Sequence, residues 1–169
     1  MNGEQVEECI SKIIGLSTEF RGVYLNNHIP DKFIYGKNIF FIVNTIIDPI
    51  KERIGHYVLF YIQGGDLSNH VELIFGDSYG FHPNFYGGKI KEFFNSYPFS
   101  KKCLFDHEIQ QDASMVCGIY TIFFSHKLFK NIPLKTIKKY FGCNKKRNDS
   151  LMLCYFRKIM GIDFETYIR

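Results

Sequence analysis

The sequence predicts an α+β fold, and three observations lead to that prediction. Apolar residues recur at helical spacing near the start, short runs rich in Ile, Val and Phe fill the middle, and helical spacing returns after Ser114. Strands grouped between helices are typical of the α+β class. The 169 residues carry no internal repeat, linker or low-complexity tract, so we expect one domain covering 1–169.

The elements are predicted in chain order from periodicity and from turn-forming residues. An amphipathic helix covers 4–16, and Gly, Asn-Asn and Pro-Asp make 20–33 an irregular segment. A buried strand follows at 38–46, and two strands flank a Gly-Gly turn within 55–80. The remaining predicted elements are a helix at 88–96, a strand at 101–109, and helices at about 114–130, 133–141 and 149–160.

Composition and cysteine spacing exclude several classes of protein. Apolar residues make up 46% and charged residues 22% of the chain, which are ordinary values for a soluble globular protein. Apolar runs stay well below the roughly 18–20 residues that span a bilayer, and the acidic start lacks the layout of a signal peptide. The five cysteines contain no C-x-x-C pair, which argues against a zinc or thioredoxin-type motif. We therefore expect an intracellular protein with neither a membrane span nor a metal or small-molecule cofactor.

Basic residues are concentrated at 135–149, within a chain of net charge +4. Mild basicity of this kind allows contact with nucleic acid or with an acidic partner. A solvated helix face explains the same pattern equally well. Composition alone leaves both interpretations open.

The strongest candidate for chemistry is Cys117, at the point where a polar run gives way to an apolar helix. A thiol at a helix N-terminus lies near unpaired N–H groups and the positive end of the helix dipole, which lower its pKa. Gly118 would let a substrate backbone approach closely, and the Cys117 N–H could donate to an oxyanion. The alternative is an inert core cysteine that happens to open the helix.

A cysteine nucleophile needs a base, and six histidines are available. His126 follows Cys117 by nine residues, which puts it on the opposite face of the same helix. His56 opens the strand "GHYVLFYI", where a sheet edge could present its ring, and His107 lies shortly before the cysteine helix, so both are candidates. The others fall in predicted loops or turns: His28, His70 and His82.

Asp77 ends the strand that follows the His56 strand. In an antiparallel hairpin the start of one strand lies beside the end of the next, so His56 and Asp77 should meet at one edge of the sheet. A carboxylate there would orient the imidazole and fix its tautomer, whereas the alternative is a turn-forming Asp. Gln110 and Gln111 precede Cys117 by seven and six residues, and the side-chain amide of either could help to form an oxyanion hole.

The combination of "GHY", "GDSYGF" and "QQDASMVCG" resembles the adenain family, the adenovirus-type cysteine endopeptidases, and more distantly the SUMO-specific proteases. The similarity extends to "FRGVYLNNHIPDKF", "FIVNT" and "KKRNDSLMLCYFRKIM", so it covers nearly the whole chain. It implies an adenain-like α+β domain with a central mixed sheet, the nucleophile at the start of a buried helix, and thiol endopeptidase activity. The roles of nucleophile, base, orienting acid and oxyanion donor would fall to Cys117, His56, Asp77 and Gln111.

The chain also departs from the family pattern. Tyr57 stands where the family usually has Trp, and the resemblance makes it an aromatic wall beside the base. Asp77 agrees with the SUMO proteases rather than with the Glu of adenovirus enzymes. The spacing of Gln111 likewise follows the SUMO proteases, whereas Gln110 keeps the adenovirus spacing.

The resemblance further implies activators and substrates. Cys103 lies near the position where adenovirus proteases place a cysteine that forms a disulfide with an activating viral peptide; a buried strand cysteine is the alternative. Family enzymes are activated by DNA, which would give 135–149 a use, and they cleave polypeptides next to small residues such as Gly.

We therefore expect a monomeric, virus-type enzyme that matures structural precursors in the virion or in the host nucleus or cytoplasm. The alternatives are a ubiquitin- or SUMO-type isopeptidase and an inactive relative that binds DNA or capsid protein.

Overall fold

The computed structural model describes residues 1–15, 17–30, 38–48, 50–51, 55–64, 71–96 and 99–168. Two short 3-10 turns cover Asn26–His28 and Pro83–Tyr86. The helices and strands are, in chain order, α1 (Gly3–Ile14), β1 (Phe20–Leu25), β2 (Ile39–Asn44), β3 (Tyr57–Gly64), β4 (Val71–Gly76), α2 (Gly88–Ser96), β5 (Lys101–Leu104), α3 (Cys117–Phe129), α4 (Leu134–Lys138), α5 (Lys145–Met160) and α6 (Phe164–Tyr167).

The five strands form one mixed sheet in the order β1-β2-β3-β4-β5. The outer pairs, β1 with β2 and β4 with β5, are parallel, whereas β3 is antiparallel to both of its neighbours. Helices cover both faces of this sheet, with α2 on one side and α1, α3 and α5 on the other. The predicted α+β class and its mixed sheet are confirmed.

The central strand β3 is buried on both faces, which explains why this part of the sequence is continuously apolar. Successive side chains point to opposite faces because a strand has a two-residue period. One set packs toward α3 and the other toward α2: Tyr57, Leu59 and Tyr61 on the first face, and Val58, Phe60 and Ile62 on the second. Packing on two sides makes β3 a fixed platform, and His56 directly precedes it.

Helix α3 lies at the centre of the helical layer, where it packs against β3, α1 and α5. Nine of its 13 residues are buried, so apolar side chains occur on nearly every face rather than in one stripe. Its N-cap residue, Val116, makes no side-chain capping hydrogen bond. The side chain of Val116 therefore accepts no hydrogen bond from the N–H groups of the first turn of α3.

The expectation of an irregular segment at 20–33 is wrong for Phe20–Leu25, which forms β1. The strand pairs with β2 through a register shift between Phe20 and Val23, and Gly22 lies there with φ +108°. A glycine that looks like a turn signal in the sequence is thus a bulge in an edge strand. Residues 31–33 of the same segment, and residues 65–70 of the turn expected between β3 and β4, lie outside the described residues.

Helix α5 begins four residues earlier than predicted, at Lys145. Asn144 caps it, because its side chain accepts a hydrogen bond from the Arg147 N–H. The short helix α6 was not predicted. Across the described residues, no helix is both long and apolar enough to cross a membrane.

Candidate active site

The pairing of β3 with β4 brings His56 and Asp77 together. His56 directly precedes β3 and Asp77 directly follows β4, and the antiparallel register sets Leu59 opposite Gly76. The Nε2 atom of His56 lies 2.7 Å from Oδ1 of Asp77, within hydrogen-bond distance. The adjacency expected from the hairpin is therefore present in the structure.

The Asp77 carboxylate is fully buried and accepts hydrogen bonds at both oxygens. Besides His56, the Tyr79 N–H donates to Oδ1 at 2.8 Å. The Phe81 N–H and the Tyr86 hydroxyl donate to Oδ2 at 3.1 Å and 2.6 Å. Four donors compensate the cost of burying this charge and hold the carboxylate in one orientation.

Two tyrosines that sequence reasoning missed lie against the imidazole. The Tyr79 ring centroid is 4.6 Å from that of His56, and the Tyr86 ring is stacked at 6.1 Å. Burial and the nearby Asp77 carboxylate raise the pKa of Tyr86, so its hydroxyl stays protonated and able to donate.

The backbone of His56 is fixed by residues behind the site. Its N–H donates to Thr45 Oγ1 at 3.0 Å, and its carbonyl accepts from the Thr45 N–H at 2.8 Å. Asn26 is fully buried and donates to the carbonyls of Thr45 and Tyr86, at 3.4 Å each. Its Oδ1 accepts from the Ile90 N–H at 2.9 Å. Asn26 thus connects the ends of β1 and β2 to the start of α2.

Cys117 and His56 line the same cleft, and the imidazole has one nitrogen that Asp77 does not use. Asp77 is hydrogen-bonded to Nε2 of His56. The other ring nitrogen, Nδ1, is buried and has no hydrogen-bond partner among the described residues. Burial lowers the pKa of His56, but the hydrogen bond to Asp77 and the neighbouring negative charges of Asp77 and of the Cys117 thiolate outweigh it and raise the pKa to about 9. Nδ1 is therefore the atom available to accept a proton from the thiol.

The pKa of the Cys117 thiol shifts in the opposite direction. Burial raises it, but the neighbouring positive charge of His56, together with the N–H groups of Tyr57 and Gly118, brings the pKa below its ordinary value. Each charged partner stabilises the other, which is the condition for a thiolate–imidazolium pair. The N–H of Cys117 lies outside the i to i−4 ladder of α3, so it is free to meet an oxyanion.

Gln110 lies against this site with its side chain fully buried. Its Oε1 accepts from the Ser78 hydroxyl at 2.6 Å. Its Nε2 donates to the Ser114 carbonyl at 2.6 Å and to the Tyr79 hydroxyl at 3.2 Å. The amide therefore joins the turn after Asp77 to the loop that leads into α3.

Gln111, the expected oxyanion donor, has different surroundings from Gln110, and its role stays a prediction. Gln111 is exposed and begins a turn in which its carbonyl accepts from the Ser114 N–H at 3.1 Å. That turn directs residue 111 to the surface and residue 110 to the interior. A spacing argument cannot distinguish the two, because they differ by one position.

Helix α5 contacts the loop that leads into α3. The Tyr120 hydroxyl, one turn after Cys117, lies 2.8 Å from Asp149 Oδ1 and 3.3 Å from the Ile109 carbonyl. Asn148 donates to the Ile109 carbonyl at 3.0 Å. The start of α3, the loop before it and α5 are thereby joined in one buried network.

Cys117 and His56 line a cleft of about 400 Å³. Tyr57 is almost fully buried, and both it and Gly118 line the cleft beside Cys117. The full lining is Met1, Thr45, Gly55, His56, Tyr57, Tyr79, Ala113, Ser114, Met115, Cys117 and Gly118. The cleft thus presents the thiol and the imidazole to a ligand at the same place.

Four of the other histidines have different surroundings, and His70 lies outside the described residues. His126 bonds the Tyr155 hydroxyl at 2.8 Å, and burial lowers its pKa to about 4. His107 is exposed and pairs with Asp106, His82 accepts from the Asn84 N–H, and His28 ends a 3-10 turn. His56 is therefore the histidine that lines the cleft, among those described.

The remaining predicted features lie away from the cleft. Cys103 is a free thiol on the edge strand β5, opposite Ile74, and lines a separate groove of about 670 Å³. Within 135–149, Lys138 pairs with Asp106, and Lys145 lies 2.5 Å from Glu108. Part of the basic charge is therefore used inside the molecule. Within the described residues, no three His, Cys, Asp or Glu side chains are grouped to hold a metal ion.

The fold is similar to that of a protease of known structure. No protein-family model and no curated protein match the sequence. The structure is similar to that of the ASFV pS273R protease, with 12% identity and a TM-score of 0.51 over 81% of this chain and 60% of that chain. It also aligns with AvrA delL154 with IP6 and CoA, at 16% identity and a TM-score of 0.47 over 84% of this chain and 53% of that chain. This chain thus spans about 60% of the length of the ASFV pS273R protease and has its fold.

Proposed function

We propose that this chain is a thiol endopeptidase that cleaves polypeptides next to small residues such as Gly. One observation carries the proposal: a cysteine and a histidine meet in a cleft with pKa shifts of opposite sign, and a buried carboxylate orients the histidine. A nucleophile, a base and an orienting group are the parts that acyl transfer through a covalent intermediate needs. The shared fold of the ASFV pS273R protease supports the same activity.

The mechanism follows from these positions. His56 Nδ1 takes the proton of Cys117, and the thiolate attacks the peptide carbonyl. The N–H of Cys117 and the Gln110 amide donate to the oxyanion, for which the amide exchanges one of its present acceptors. His56 then returns its proton to the leaving amine, and water hydrolyses the acyl-enzyme with His56 as base.

We extend the proposal to maturation of viral structural precursors. The sequence resemblance to adenovirus-type endopeptidases supports this setting, and so does the fold shared with a protease of ASFV. Activation by a peptide through Cys103 or by DNA through 135–149 remains a prediction. The ion pairs of Lys138 and Lys145 leave only the other cations of that region for such contact.

The direct test is peptide cleavage by matched cysteine variants. We expect the wild-type protein to cleave peptides at Gly-containing sequences, assayed with and without DNA, and Cys117→Ala to cleave none. Cys143→Ala, which removes an exposed thiol, should cleave like the wild type. Equal cleavage by the wild type and Cys117→Ala would overturn the proposal. Covalent capture by a ubiquitin or SUMO probe would instead support the isopeptidase alternative.

A further inference from the structure

The Met1 side chain lies in the cleft, directly beside the residue that follows the nucleophile. A Cβ atom placed on Gly118 would lie 2.8 Å from the Met1 Sδ and 3.6 Å from its Cγ. Met1 lines the same cleft as Cys117 and His56. The thioether therefore bounds the space through which a substrate would pass the thiol.

Met1 is held in this place by the start of α1. Asn2 and Gln5 form a reciprocal capping box: the Asn2 side chain accepts from the Gln5 N–H at 2.9 Å, and the Gln5 side chain accepts from the Asn2 N–H at 2.8 Å. Gln5 also donates to the Tyr167 carbonyl at 3.0 Å. Because α1 packs against α3, these bonds fix the Met1 backbone relative to Cys117.

Tyr57 forms a second wall of the same space. Its Cδ2 atom would lie 3.6 Å from a Cβ on Gly118, and the ring is only 5% exposed. A methyl group attached to Gly118 itself would therefore touch both walls. The two walls differ in stiffness, because Tyr57 is packed in the core whereas an unbranched thioether can rotate away.

We propose that Met1 is a specificity-determining residue, whose side chain narrows the cleft at Cys117 and admits only small side chains next to the scissile bond. The inference rests on the proposed endopeptidase function and names the residue that sets its preference for Gly. The substrate class is a polypeptide with a small residue at the cleavage point. Enlarging the cleft at Met1 should relax this requirement without altering the thiol.

The experiment measures access to Cys117 by reagents of two sizes, so it does not depend on peptide cleavage. The protein is produced behind a leader that is removed without a scar, as wild type, Met1→Ala, Met1→Leu and Met115→Ala. Rates of Cys117 modification by N-phenylmaleimide and by iodoacetamide are assigned by mass spectrometry. Met115 also lines the cleft but is 65% exposed, which makes it the matched control.

We expect Met1→Ala to raise the ratio of the N-phenylmaleimide rate to the iodoacetamide rate by about tenfold, the low end of the discrimination that one methylene group gives in an apolar pocket. Met1→Leu and Met115→Ala should leave the ratio near the wild-type value. An unchanged ratio in Met1→Ala, or an equal rise in Met115→Ala, would overturn the inference. Cleavage assays on Gly and Val peptides with the same variants test the proposed function separately.

Discussion

The Tyr86 hydroxyl donates to Oδ2 of Asp77 at 2.6 Å, on the carboxylate oxygen that His56 does not use. The two residues are nine positions apart, and a 3-10 turn at Pro83–Tyr86 brings the tyrosine back over the site. Tyr86 thus holds the Asp77 carboxylate in place, and that carboxylate in turn orients His56. The relationship extends the chain of contacts from the thiol through His56 and Asp77 to Tyr86.

Replacing Tyr86 by Phe tests this relationship. Loss of the hydroxyl leaves a buried carboxylate oxygen short of a donor, so the free energy of unfolding should fall by about 1.5–3 kcal/mol. The value of kcat should also fall while KM stays near wild type, because the carboxylate is no longer fixed. Urea denaturation and steady-state kinetics measure the two effects.

Tyr140→Phe is the matched control, since Tyr140 is 48% exposed and the same hydroxyl is removed. Its free energy of unfolding should stay within about 0.5 kcal/mol of wild type. Equal stability of the two variants would contradict the account of Tyr86.

The dependence of activity on pH follows from the shifted pKa values of the pair. The acidic limb of kcat/KM should follow the lowered pKa of Cys117, and the alkaline limb should follow loss of the His56 proton near pH 9. In Asp77→Asn the carboxylate no longer raises the pKa of His56, so the alkaline limb should move to lower pH. An alkaline limb that stays in place would show that Asp77 does not act on His56.

The two glutamines give a sharp contrast at adjacent positions. Gln110→Ala should lower kcat by about 10²–10³, the effect of removing one oxyanion donor. Gln111→Ala should leave kcat and stability close to wild type because its side chain is exposed. Kinetics of both variants with one peptide substrate measure the difference. A larger loss of kcat in Gln111→Ala than in Gln110→Ala would assign the oxyanion role to Gln111.

The buried hydrogen bonds between α5, the start of α3 and the loop before α3 should contribute more to the free energy of unfolding than the ion pairs on the surface of that loop. Tyr120→Phe removes the hydroxyl that bonds buried Asp149, so the free energy of unfolding should fall by about 1.5–3 kcal/mol. Lys145→Gln breaks a pair with the exposed Glu108 and should lower the free energy of unfolding much less, because solvent screens an exposed ion pair. Equal losses in chemical denaturation would argue against a special role for the network.

Sequence reasoning worked where a pattern has a geometric consequence. Continuous apolar runs predicted buried strands, and the antiparallel hairpin predicted that His56 and Asp77 would meet. It failed where contacts join residues without a fixed spacing. Asn26 and Tyr86 support the site through loops, and no period in the sequence marks them.

Two further differences come from local conformation. Strand β1 was missed because Gly22 marks a turn in most sequences, yet here it allows the positive φ of a bulge. Gln110 and Gln111 could not be separated by spacing because a single turn starting at residue 111 decides which side chain is buried. The conformation of Gly22 and the burial of Gln110 both depend on the fold, so the structure is needed to establish them.

The most direct test of the central claim is the rate of Cys117 alkylation by limiting iodoacetamide across pH, with each cysteine assigned by mass spectrometry. We expect Cys117 to react at lower pH than the exposed Cys143, and His56→Ala to abolish this difference. Cys117 that reacts only at the pH of an ordinary thiol, about 8.5, with no response to His56→Ala, would contradict the thiolate–imidazolium pair and with it the proposed endopeptidase.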